Sequence, residues 1–256
     1  MTHTEKLKIL TEYLIAERPD AARFRLPETV HEQFQLLRAL MNVREAGPIS
    51  EEFLRIQDEF LQEETRRKGI VDISDLTPVQ ADIYLGQGDI TTLRCGAIVN
   101  AANSGMTGCY SPCHGCIDNV SHTYAGVQLR LDCHRIMVQQ GYPEPTGKAK
   151  ITNAYNLPCD RVIHTVGPIV YGKLTEKHCE LLKSCYLSCL EAAVENSVGS
   201  IAFCCISTGE FHFPNEPAAE IAVETVKAYK AETGSDIKVI FNVFKDIDLQ
   251  IYKRLL

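Results

Sequence analysis

The chain has 256 residues, room for one large domain or two small ones, and 45% of them are apolar, which supports an ordinary core. Its formal net charge of −7 excludes broad nucleic-acid binding, which needs a basic surface to displace counterions. No run approaches the ~20 apolar residues of a membrane span. Met1 to Glu12 alternates polar and apolar residues rather than opening a secretion signal, so the 11 cysteines read as reduced thiols of a cytoplasmic protein.

Residues 1 to about 78 read as helical. Leu7, Leu10 and Leu14 keep a helical period that Pro19 ends, and Val30, Phe34, Leu37 and Met41 keep it again until Gly47-Pro48. Ser50 is placed to cap a third helix, with Glu51 and Glu52 in its first turn and Phe53, Ile56 and Phe60 on one face. The charged run Glu63 to Lys68 reads as a solvated helix end, and Thr77-Pro78 as a boundary. With no cluster of site-like polar residues, this segment is expected to pack on, or lid, the rest of the chain.

From 79 onward strands and helices alternate. Ile83 to Leu85, Ala97 to Val99, Lys150 to Tyr155, Arg161 to Val166, Ser200 to Ile206 and Lys238 to Phe244 read as strands, with Cys204 and Cys205 inside a buried one. Helices are expected over Asp118 to Gln140, over Thr175 to Asn196, from Pro217 to Gly234, and from a cap at Asp246 to the end. Such alternation implies an α/β sandwich on a mixed or mostly parallel sheet, whose ligands bind beyond the carboxyl ends of the strands.

Three of those strand ends carry polar or glycine-rich sequence. They are Gly86 to Thr91, Asn100-Ala101-Ala102-Asn103, and Ser207-Thr208-Gly209-Glu210-Phe211-His212-Phe213-Pro214. Glycine-rich turns that feed helix N-termini offer backbone N–H groups to phosphate. Asp89 can accept a hydrogen bond from an exocyclic amine, and Phe211 can supply an apolar wall. Each alone reads as a turn; together they suggest a nucleotide-diphosphate site.

The second of these ends runs into a loop with three cysteines and one histidine within eight residues, Cys109 to Cys116. Thiolates beside an imidazole are ligands for zinc. His114 and Cys116, two apart, point to one side of an extended loop, and Gly108, Pro112 and Gly115 favour a loop over a helix. No second Cys/His pair completes a closed finger site, so Cys109, His114 and Cys116 would leave one position open, as in a catalytic zinc centre. One zinc per chain is the expectation. Cys113 is left out, because it cannot point the same way as its neighbour His114. The other reading of the loop is buried thiols beside a surface histidine. His122, His134 and His164 read as satisfied structural histidines, and Lys148 and Lys150 as surface charges.

Gly88-Asp89-Ile90-Thr91, Ile98 to Asn103, Gly147 to Thr152, Val162 to Pro168 and Ile206-Ser207-Thr208-Gly209, in this order, resemble the macrodomain family, and Ile240 to Phe244 and Ile251 to Leu255 fit it too. A Cys-His-Cys loop stands where ordinary macrodomains carry glycines ahead of the Asp-x-x-x-His spacing kept by Asp118 and His122, and His212 stands where many have glycine. With the helical N-terminal part, this is similar to the zinc-dependent macrodomains of microbial sirtuin-linked operons, which are ADP-ribosyl-protein hydrolases. The resemblance implies a three-layer α/β/α macrodomain with a mixed central sheet over 79–256, preceded by an N-terminal helical extension over 1–78. It implies that Asp89 and Ile90 meet the adenine, that Asn103 binds the distal ribose, and that Ile117, Asp118 and Asn119 line the diphosphate and ribose side. Ser207, Thr208, Gly209, Glu210 and Phe211 would wrap the diphosphate and distal ribose. Asn103 and Asp118 would be catalytic, with zinc polarising a substrate oxygen or activating a water. The implied substrate is an ADP-ribosylated protein modified by a sirtuin-type transferase, a lipoyl-carrier protein being one candidate, and neither nucleic acid nor membrane is a partner. A non-catalytic ADP-ribose reader with a structural zinc, and an esterase of small ADP-ribose esters, are the alternatives.

Overall fold

The computed structural model describes residues 1–256. Three helices come first, α1 (His3–Ala16), α2 (Val30–Val43) and α3 (Glu51–Lys68). Each has a hydroxyl at its N-cap. Thr2 accepts the Glu5 N–H in a reciprocal capping box, Thr29 accepts the Glu32 N–H, and Ser50 accepts the Phe53 N–H. Such caps each stabilise a helix by ~1 kcal/mol. Leu7, Leu10, Leu14, Leu37, Leu40, Met41, Phe53, Ile56, Phe60 and Leu61 close a core of their own.

The rest of the chain runs β1 (Val71–Asp72), β2 (Pro78–Gln80), β3 (Ile83–Gln87), β4 (Leu93–Arg94), β5 (Ala97–Ala102), α4 (Ile117–Ala125), α5 (Val127–Gln140), β6 (Ala149–Asn153) and β7 (Arg161–Val166). It continues through α6 (Glu176–Glu195), β8 (Ser200–Phe203), α7 (Asn215–Thr233), β9 (Lys238–Val243) and α8 (Asp246–Leu255). The seven-stranded sheet has the order β2-β3-β9-β8-β5-β7-β6. Its inner pairings are parallel, and the edge strands β2 and β6 are antiparallel, so the sheet is mixed. Alternation along the strands gives each face its own core. Val99, Ile163, Phe203 and Phe241 face Leu182, Tyr186, Val223 and Tyr252 of α6, α7 and α8. Ile98, Val162, Ala202 and Ile240 face Tyr124, Leu129 and Cys133 of α4 and α5. The result is the three-layer α/β/α arrangement expected.

Several sequence expectations are corrected. Helix stops at Lys68, not near 78. Gly69, at φ +91°, ends it, and β1 then pairs in parallel with β4. The single helix expected over 118–140 is two, broken at Gly126, whose φ of +97° a side chain rarely adopts. The break is filled by the extension: Gln57 Oε1 accepts the Val127 N–H at 3.0 Å, and a Cβ at Gly126 would lie 2.6 Å from Gln57 Nε2. β8 ends at Phe203, so Cys204 and Cys205 lie beyond the strand. Lys245, not Asp246, is the N-cap of α8, and Asp246 sits in the first turn.

Candidate active site

β3, β9, β8 and β5 are consecutive in the sheet and parallel, so their carboxyl ends share one edge. A cleft of about 800 Å³ lies along that edge, within the ~300–1,000 Å³ of small-molecule sites. Three inter-strand steps of ~4.8 Å put the β3 and β5 ends roughly 14 Å apart. That span suits a ligand with a base at one end and a sugar at the other. Asp89, Ile90, Asn103, Cys109, His114, Cys116, Ile117, Asp118, Ser207, Thr208, Gly209, Glu210 and Phe211 all line the cleft. Asn119 does not: it is fully buried, and its amide donates to the carbonyls of Cys109 and Ser111. Its place is behind the Cys-His-Cys loop.

At the β3 end, Asp89 Oδ1 accepts the Thr91 N–H and hydroxyl at 2.9 and 2.6 Å, and Oδ2 accepts Lys68 Nζ at 2.6 Å. Burial pushes this carboxyl up, but Lys68 and Thr91 outweigh it and hold it below the ordinary carboxylate range. Lys68 also stands over the Tyr124 ring, 3.2 Å from its centroid, so within a helix end that is exposed as expected this one lysine is tied to the site. Asn242, Phe244 and Lys245, at the end of β9, line the same stretch, with Phe244 75% exposed. The signal for them was available, because they lie at the carboxyl end of a strand whose neighbours carry the site.

In the middle, the loop after β8 doubles back through Ser207 and His212, at φ +66° and +55°. The histidine that stands where family resemblance expects glycine thus occupies a left-handed position that glycine adopts without strain. Thr208, His212 and Phe213 use their N–H groups inside the loop, whereas Gly209, Glu210 and Phe211 do not. The buried Ser207 hydroxyl has no protein partner either. The N-terminus of α4 opens on the cleft as well, with Ile117 and Asp118 in its first turn. Free backbone donors and a helix N-terminus together make an anion-binding surface.

At the β5 end stands Asp118, buried on all sides but the cleft. Asn100 Nδ2 donates to its Oδ1 at 2.8 Å, and Asn103 Nδ2 to its Oδ2 at 3.0 Å. Burial raises its carboxyl to about 6, against the opposing pull of Asn100, Arg130 and Asn103. Asn103 also donates to the Gly108 carbonyl and accepts the Gly105 N–H, so its amide ties Asp118 to the start of the loop. His164 is satisfied as expected, between Asn100 and Thr152, and burial pushes its imidazole down to about 4. His122 is not: neither ring nitrogen has a hydrogen bond, and Nε2 lies 3.7 Å from Asp118 Oδ1. Burial, then His164 and Arg130, hold it well below the ordinary histidine range, so it is neutral. His134 is exposed on α5, and Lys150 lies 3.3 Å from the buried carboxylate of Glu144 rather than free on the surface.

Beside Asp118 the ligand atoms of Cys109, His114 and Cys116 lie within 4.8 Å of one another, and Cys109 Sγ is 3.6 Å from His114 Nδ1. Ligands ~2.0–2.3 Å from a tetrahedral zinc stand roughly 3.3–3.8 Å apart; the Cys109–His114 pair matches this, and two thiols with an imidazole are a donor set that suits the ion. The far nitrogen of His114, Nε2, is 3.6 Å from Glu210 Oε1. At that distance the two groups are neighbours without a hydrogen bond. The exposed Glu210 side chain thus stands beside the histidine, while the residue lines the cleft as expected. Cys113 is outside the group: at φ +54° it donates its thiol to the Gln35 carbonyl. A second group, His122, Cys133 and His164, is enclosed, and both His164 nitrogens are engaged, which makes it a core cluster.

A profile of the family described as Macro domain matches residues 99–222. A "Protein-ADP-ribose hydrolase" of Treponema medium is 56% identical over 260 residues, covering 100% of each chain. Another of that name, from Staphylococcus aureus (strain MSSA476), is 51% identical over 252 residues, covering 96% of this chain and 94% of that one. The crystal structure of a Trypanosoma brucei macrodomain in complex with ADP-ribose is similar with a TM-score of 0.65 at 28% identity, over 85% of this chain and 94% of that one.

Proposed function

The chain belongs to the macrodomain family and is a protein-ADP-ribose hydrolase, and we propose that it removes single ADP-ribose units from modified protein side chains with the help of one zinc ion. The observation that carries this reading is the convergence of Cys109, His114 and Cys116 at the same end of the cleft as Asp118 and Asn103. Adenine lies at the β3 end, where Asp89 Oδ2 has a lone pair left for the exocyclic amine and Phe244 offers a ring face. The diphosphate lies against the free N–H groups of Gly209, Glu210 and Phe211 and the N-terminus of α4. The distal ribose then falls beside Asp118.

Hydrolysis there forms a bond between a water oxygen and the anomeric carbon and breaks the bond from that carbon to the protein side chain. Asp118, held by Asn100 and Asn103, orients the water and takes its proton, which leaves with the freed side chain. When bound, zinc supplies a Lewis acid at this end of the cleft. Cys109, His114 and Cys116 would hold the ion and leave a position for substrate, which a reader with a purely structural zinc would not need. The resemblance to sirtuin-linked macrodomains supports a substrate modified by a sirtuin-type transferase, with a lipoyl-carrier protein as the first carrier to try.

The test is incubation with a mono-ADP-ribosylated protein, following free ADP-ribose with chelator, without it, and after zinc is restored. Release that chelator stops and zinc restores is the expected result. Release unaffected by complete zinc removal overturns the metal's part, and no release from any such substrate overturns the proposed reaction.

A further inference from the structure

The loop that carries the three ligands scarcely holds itself. Between Thr107 and Gly115 its one internal backbone bond is His114 N–H to Ser111 O, at 3.3 Å. Side chains hold the rest, and much of that grip comes from the N-terminal extension. Arg38 Nη2 donates to the His114 carbonyl at 2.6 Å and to Asn119 Oδ1 at 2.9 Å. Asn42 Oδ1 accepts the Cys113 N–H at 2.9 Å, and its Nδ2 donates to Thr123 in α4 at 3.0 Å. The Gln35 carbonyl accepts the Cys113 thiol at 3.3 Å. Residues 35, 38 and 42 share one face of α2, while Leu37, Leu40 and Met41 face the extension's own core. The end of α2 is fixed in turn by Arg130, which donates to the carbonyls of Met41 and Asn42 and lays its guanidinium over Tyr110 of the loop, 4.3 Å from the ring centre.

We propose that the polar face of α2 is part of the metal site: Arg38 and Asn42 are positioning residues that hold the Cys109–Cys116 loop in its ligating shape. This rests on the proposal that the loop holds zinc. His114 has its backbone carbonyl fixed by Arg38 and its Nε2 facing Glu210, so its Nδ1 is aimed from both sides. Cys113, in a left-handed conformation that an L-residue adopts only when held, is pinned by Asn42 and Gln35. Outer partners of this kind change metal affinity by about 10–100-fold when removed, because without them binding must also order the loop. The extension thus sets the affinity of a centre that belongs to the sheet-bearing part of the chain.

The experiment is zinc affinity by competition with a chromophoric chelator, on full-length protein, with ADP-ribose affinity and melting temperature measured on the same samples. Arg38→Ala and Asn42→Ala should each weaken zinc binding about 10–100-fold and leave ADP-ribose binding, anchored at the adenine end, unchanged. Arg38→Lys keeps the charge, but its ammonium sits one atom short of where Nη2 stands; it should fall in between, and it serves in place of Arg38→Ala if that variant does not fold. Lys6→Met removes ion pairs to Glu59 and Glu63 within the extension and touches nothing in the loop. It should melt earlier and bind zinc as the wild type does. Wild-type zinc affinity in Arg38→Ala, Arg38→Lys and Asn42→Ala overturns the positioning role and leaves the zinc reading standing. An equal loss in Lys6→Met overturns it too, since the effect would then be general stability. A wild-type protein that binds no zinc overturns both.

Discussion

Asp89 has a partner on each carboxylate oxygen before any nucleotide arrives. Thr91 fixes Oδ1, and the Lys68 ammonium keeps the group ionised and aimed along Oδ2. A charged acceptor so placed contributes on the order of 1.5–3 kcal/mol to a hydrogen bond. Asp89→Ala should therefore weaken ADP-ribose binding by roughly 10–150-fold, measured by calorimetry, while unchanged affinity would reduce this turn to a purely structural one. That Asp89, Asn103, Asp118 and the Cys109, His114 and Cys116 group share one cleft was legible in the sequence, because the signal lies in residue type, short spacing and nearby strand ends. Lys68, Arg38 and Asn42 were not. Each belongs to the extension, and its role exists only once α2 and α3 dock on α4. Asn119 was expected on the cleft and stands behind the loop instead, since adjacency along the chain does not say which way a side chain turns.

Among the elements, the break between α4 and α5 shows where periodicity misleads. Apolar spacing runs through Gly126, and a lone glycine does not by itself stop a helix. What stops it is Gln57, whose amide takes the Val127 N–H that a continuous helix would have bonded to its own carbonyl. Gly126→Ala should cost about 1–3 kcal/mol of stability from the backbone alone, since φ +97° with ψ 173° lies where essentially only glycine goes, read by denaturant unfolding; no change would mean the two helices merge without loss. The extension carries a pH signature as well. Lys6 and His3 donate to Glu63 and hold its carboxyl at about 2, against an ordinary 4.5. A carboxyl lowered by folding adds stability that is whole above its ordinary value and is lost as pH falls through its folded one. Unfolding midpoints should drop between about pH 4.5 and 2, and Glu63→Gln should flatten that part of the profile. A drop of the same size in the variant would assign the acid sensitivity to other carboxylates.

Across the whole molecule, the alternation of strands and helices and the parallel carboxyl ends at one edge were readable from pattern, since two-sided burial writes apolar runs into the central strands. The short strands β1, β2 and β4 were not, because two or three paired residues leave no period to detect. On the proposed reading the same edge separates binding from chemistry, with Asp89 and the adenine at the β3 end and the Cys-His-Cys group and Asp118 at the β5 end. Only interactions that strengthen in the transition state accelerate a reaction, so lesions at the two ends should differ in kind. Asp89→Ala should mainly raise KM. Asp118→Ala should lower kcat by about 10²–10⁴, the usual size of a lost general base, and should keep zinc, because the Cys-His-Cys set is complete without it. His114→Ala and Cys116→Ala should lose zinc, lower kcat by orders of magnitude, and hold product ADP-ribose nearly as well as before. Zinc content, ADP-ribose affinity and hydrolysis rate measured on the same four variants decide the matter. If the ligand variants stay folded, lose zinc and still release ADP-ribose at the wild-type rate, the ion is a staple for the loop, and the attacking water is activated by Asp118 within the frame of Asn100 and Asn103 alone.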